Sequence, residues 1–114
     1  MKLMAVALAG LLLVFSSSAC AHAHLKASSP AAGSRLSVAP AALSLEFSEA
    51  AQLTALSIEK TGAQPVKLSA PPSPQTHISV PLPTLTPGTY VVRFRALGSD
   101  GHLVPGEFTF SLAP

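Results

Sequence analysis

The chain has no tryptophan, one tyrosine (Tyr90), no methionine after Met4 and one cysteine, Cys20. A lone cysteine forms no intrachain disulfide, so the fold rests on an ordinary core. Beyond residue 20 there is no thiol for nucleophilic chemistry, and beyond residue 4 no soft thioether donor. With no tryptophan and one tyrosine there is little aromatic surface on which a base or a sugar would stack. Charged residues make up 11% of the chain. No G-x-S-x-G, phosphate-cradling glycine loop or H-E-x-x-H occurs, and the serines sit in no nucleophile setting.

What is present begins with a targeting segment. Met1-Lys2 is followed by an apolar run from Leu3 to Phe15 and by small residues ending in Ala21-His22-Ala23. This is the order of a secretory signal peptide, with a basic start, an apolar centre and an A-x-A end. The run is short of the ~20 residues a membrane-spanning helix needs. The expected organisation is a signal peptide over 1–23, cleaved after Ala23, and one domain over 24–114. One alternative is an uncleaved anchor. Another is a lipoprotein acylated at Cys20, although Ser17 stands where a lipobox usually carries a bulky aliphatic residue. Cleavage after Ala23 leaves six basic and five acidic residues, a net charge of +1 with histidine neutral. The basic pI of the whole chain is therefore no nucleic-acid footprint.

The remainder alternates with a period of two. Leu43, Leu45 and Phe47 oppose Ser44, Glu46 and Ser48; Leu56 and Ile58 are in phase; Tyr90, Val92, Phe94 and Ala96 oppose Arg93 and Arg95; Phe108, Phe110 and Leu112 oppose Glu107, Thr109 and Ser111. Each is a strand with one wet face. Turn signals separate them at Pro30–Gly33, Thr61-Gly62, Pro71–Pro74, Thr86–Gly88 and Ser99–Gly101. Eleven prolines, all from Pro30 onward, exclude long helices. The pattern predicts one all-β domain, a sandwich or a Greek-key barrel.

Three histidines remain in 24–114: His24, His77 and His102. As a first residue, His24 offers an amine nitrogen and an imidazole Nδ1 that close a chelate ring on one ion. His102 follows Asp100 by two, so both side chains reach one ion if the backbone is extended. If Asp100-Gly101 makes a tight turn, they stay near each other in another geometry. The plain reading of this segment is a hairpin turn with an exposed histidine. With His24 added, the set is three nitrogens and one oxygen, which suits tetragonal Cu(II). A tetrahedral Zn(II) site takes the same donors. His77 belongs to the polar face of a strand. Glu49, at the end of the strand containing Glu46-Phe47-Ser48, is either a solvated carboxylate or a neighbour of the metal.

The segments AHAHLKASSPAAGSRL, LSLEFSEA, LTPGTYVVRFRALGSDGH and VPGEFTFSL resemble the CopC/PcoC family of periplasmic copper-binding proteins across nearly all of 24–114. The resemblance implies a seven-stranded, immunoglobulin-like Greek-key β-sandwich with one Cu(II) per mature chain. Its implied ligands are His24 (amine and ring), Asp100 and His102, with Glu49 near the metal. Some members bind Cu(I) through a methionine-rich segment, which is lacking here.

The expectation is a soluble, monomeric periplasmic carrier or buffer in copper homeostasis or resistance. It is not an enzyme, does not bind nucleic acid, and passes copper to a CopD-type membrane protein. Two rivals stand beside it: a copper-brace oxidative enzyme of the polysaccharide monooxygenase kind, and a structural β-domain without a specific metal. Mass determination of the exported protein is expected to give an unlipidated chain beginning at His24; a product beginning at an acylated Cys20 removes the terminal chelate.

Overall fold

Alternating strands with one apolar face must bury that face against another layer, and this chain does so with seven strands. The computed structural model describes residues 23–114; the expected signal segment, Ala23 apart, and Cys20 lie outside the described residues. In order the strands are β1 (Leu25–Ser29), β2 (Arg35–Leu36), β3 (Ala42–Lys60), β4 (Val66–Lys67), β5 (Gln75–Pro81), β6 (Gly88–Gly98) and β7 (Leu103–Leu112). Among the described residues there is no helix.

Hydrogen bonding links β1, β3, β6, β7 and β2 in that order, with β4 and β5 also on β3. The organising element is β3, 19 residues long. Its first part, Ala42–Phe47, lies between β1 and β5. Its last part, from Ala51 onward, pairs with β6, and Ser57 and Ile58 also pair with β4. One strand thus serves both layers and curls the sheet over its own core. The two segments expected as separate strands are continuous, because Glu49-Ala50-Ala51-Gln52 contains no turn residue. Glu49, expected at a strand end, therefore sits inside β3 where it passes between layers.

The predicted apolar faces all point inward. Leu43, Leu45, Phe47, Ile78 and Val80 come from one layer, and Leu56, Ile58, Val92, Phe94, Ala96, Phe108, Phe110 and Leu112 from the other; all are buried in one cluster. Phe47 and Phe94 meet edge-to-face across it, with centroids 5.6 Å apart. Tyr90 stacks on Phe110 at 5.4 Å, and its hydroxyl donates to the Thr86 carbonyl at 2.6 Å and accepts from the Thr86 N–H at 2.9 Å. This ties the turn before β6 to the core, as the tyrosine corner does in immunoglobulin-like domains.

On the outer face Arg93 donates to both Glu59 and Glu107, at 2.6 and 3.2 Å. The Glu59 bond leads in holding its guanidinium above the ordinary value. The last strand, β7, begins earlier than its alternation suggests and contains Pro105. Beyond β6, β7 is paired only at Ser111 and Leu112 among the described residues, so its edge near Pro105 is open and tolerates the missing N–H. At Gly106 an added Cβ would enter the Phe94 ring.

Phe47 is 2% exposed and bridges the layers. Phe47→Ala is expected to lower stability by about 3–5 kcal/mol, read from urea unfolding of residues 24–114. A loss below about 1 kcal/mol would show that the layers do not depend on this contact.

Candidate metal centre

Three chain segments converge where β3 leaves one layer for the other: the start of β1, the β3 residues Ser48 and Glu49, and the β6–β7 loop. The convergence follows from register. In β1, Leu25 pairs with Phe47, which places His24 opposite Ser48. In β6, Gly98 pairs with Ala51, which brings the loop after Gly98 to the same end of β3.

The loop is a tight turn rather than extended chain. The Gly101 N–H donates to the Gly98 carbonyl at 3.0 Å, and the Gly98 N–H donates to the His102 carbonyl at 3.1 Å. Gly101 has φ +85°, a left-handed conformation that glycine adopts without steric cost. Asp100 caps the turn: its Oδ1 accepts the His102 backbone N–H at 3.1 Å, and its Oδ2 lies 2.9 Å from His102 Nδ1. Of the two geometries the sequence allowed for Asp100 and His102, the structure has the turn. His102 Nδ1 and the Asp100 carboxylate thus face the same space, and an ion held by both would take the place of the contact between them. The Asp100 side chain is 22% exposed and that of His102 is 68% exposed.

His24 is held from β3. Its carbonyl accepts the Ser48 N–H at 2.8 Å, and its own N–H donates to Ser48 Oγ at 2.9 Å. The next residue, Glu49, accepts a bond from Ser99 Oγ at 2.8 Å. It therefore braces the loop that carries Asp100. Ala23 is buried, at 1% exposure. It packs over Gly98: the point where a Gly98 Cβ would stand is 3.2 Å from Asp100 Oδ1, 3.5 Å from the Ala23 nitrogen and 3.7 Å from the Ala23 Cβ. Asp100 and the backbone immediately before His24 thus share one small space.

The structure joins Asp100 to His102 directly and brings the backbone of residues 23 and 24 to the same end of the sandwich. Among the described residues, no three His, Cys, Asp or Glu side chains are gathered closely enough to hold one ion. In the uncut chain the nitrogen of His24 is an amide, bonded to Ala23 and donating to Ser48. His77 lies elsewhere, exposed on β5 as expected and 3.6 Å from Glu46. The alternation pattern contained no sign of Ser48, Ser99 or Gly98, because each acts through partners 24 or more residues away or through space. The available hint was the adjacency of Ser48 to Glu49.

The CopC domain model matches residues 25–113. Copper resistance protein C of Pseudomonas syringae pv. tomato is 36% identical over 111 residues, covering 88% of this chain and 87% of that protein. The crystal structure of CopC from Methylosinus trichosporium OB3b superposes with a TM-score of 0.72 at 29% identity, over 82% of this chain and 95% of that one. That of PcoC, described as a methionine-rich copper resistance protein from Escherichia coli, gives 0.59 at 33% identity over 81% and 99%.

Asp100→Ala removes both contacts to His102. It is expected to speed amide exchange of His102 by roughly three- to tenfold, the worth of one exposed hydrogen bond. Val92 in β6 should be unaffected. Exchange measured by NMR checks this, and an unchanged rate at His102 would show that the turn holds without its carboxylate.

Proposed function

The chain belongs to the CopC family, and with that membership as premise we propose that residues 24–114 form a periplasmic protein that binds one Cu(II). It acts as a carrier or buffer in copper homeostasis or resistance rather than as an enzyme. The single observation that carries the reading is that Ala23, immediately before His24, packs beside the Asp100 carboxylate over Gly98, with Asp100 in turn joined to His102. The ligands are the amine and ring of His24, the Asp100 carboxylate and the His102 ring.

Cleavage after Ala23 changes two things at this place. The His24 nitrogen turns from an amide, whose lone pair is delocalised, into an amine that donates it to a metal. The buried seat of Ala23 beside Asp100 is emptied. Three nitrogens and one oxygen suit Cu(II), which stands at the top of the divalent affinity order for such donors. A thioether site for Cu(I) has no donors here, since 24–114 contains no methionine. In this respect the chain differs from the methionine-rich PcoC. Mounting the loop on paired strands keeps the donors in place. Release of copper to a membrane partner of the CopD type is consistent with the exposure of His24 and His102.

The processed protein is expected to take up one Cu(II), read by titration against a competing chelator and by electron paramagnetic resonance. Adding one alanine before His24 should weaken binding by at least about a hundredfold, since it removes the amine and refills the seat beside Asp100. His102→Ala should weaken it by about tenfold or more. Equal Cu(II) affinity in the extended protein would remove the amine from the site and overturn the proposal.

A further inference from the structure

Ser48 holds His24 at both backbone ends. In an antiparallel ladder a hydrogen-bonded pair exchanges two N–H···O=C bonds. At His24 and Ser48 one of these is present, from the Ser48 N–H to the His24 carbonyl at 2.8 Å. The His24 N–H donates to the side chain of the same residue, Ser48 Oγ, at 2.9 Å. This side-chain bond falls where β3 passes from its β1-paired part to its β6-paired part.

We propose that Ser48 is the positioning residue of the copper site, its hydroxyl orienting the His24 amine in the processed protein. The inference rests on the reading that cleavage after Ala23 makes this nitrogen a ligand. A coordinated amine carries two hydrogens and directs its lone pair at the metal. One hydrogen donated to Ser48 Oγ removes its freedom to rotate about the N–Cα bond, while the bond from the Ser48 N–H holds the carbonyl end. Between these two points the His24 backbone has one setting, and the chelate ring closes without first ordering the chain end. Neighbouring side chains on a strand point to opposite sides. Ser48 accordingly grips the start of β1 while Glu49 grips the β6–β7 loop through Ser99. Two adjacent residues set the separation of the two halves of the site.

Ser48→Thr and Ser48→Val form the decisive pair, because they have nearly the same shape and differ in the hydroxyl. Both are made in the exported, processed protein, with a His24 start verified by mass. Ser48→Val is expected to bind one Cu(II) roughly three- to tenfold more weakly than Ser48→Thr, the range of one exposed hydrogen bond. It should also show a shifted visible d–d band and altered copper hyperfine splitting, while the thermal unfolding midpoints of the two metal-free proteins agree. Equal affinity and identical spectra for the two variants would overturn the role of Ser48 and leave the copper reading standing. A wild-type protein that takes up no stoichiometric Cu(II) would overturn both. Should the metal-free midpoints differ, the spectra of the saturated complexes decide: the same spectrum in both variants excludes a positioning role.

Discussion

The passage of β3 from one layer to the other is the constraint on which the rest of this structure depends. A single 19-residue strand pairs with β1 and β5 in its first part and with β6 in its last. Because it belongs to both layers, its inward residues lie on both sides of the core, and Phe47 reaches Phe94 across it. Its middle residues cannot keep a regular ladder on both sides while changing partners. At that point side-chain bonds from Ser48 and Glu49 supplement the backbone ladder, and both lead to the candidate metal centre.

The candidate site thus draws its rigidity from strands while exposing its proposed donors at their ends. His24 lies just before β1, and Asp100 and His102 lie in a four-residue connection whose flanking strands pair through ten registered positions. The turn is closed by backbone bonds and by the Asp100 carboxylate, so Asp100 and His102 are held side by side. Donor geometry at an exposed edge suits the proposed role of carrier or buffer.

Burial of Ala23 gives the uncut chain a distinct local state. A small residue fills the space over Gly98 beside Asp100, and the following nitrogen is an amide. In the proposed cycle the same peptide bond that marks the end of the signal segment separates a chain unable to chelate through its backbone from one that does. In that proposed cycle metal loading is coupled to export by covalent chemistry, with no moving domain required.

The inward faces of β3, β5, β6 and β7 were legible in the sequence, because period-two alternation reports which side of a strand meets the core. So was the all-β class, from proline and turn spacing, and the nearness of Asp100 to His102, from the single residue between them. The sequence did not reveal that β3 is continuous, that Pro105 lies within β7, or that Asp100 and His102 meet through a turn. Nor did it reveal that Ser48 holds His24, Glu49 holds Ser99 and Ala23 seats on Gly98. Alternation is a local property, set by the geometry of adjacent residues along one strand. The bonds of Ser48 to His24 and of Glu49 to Ser99 join positions 24 and 50 residues apart, and such approaches are set only by strand register and by the curl of the sheet.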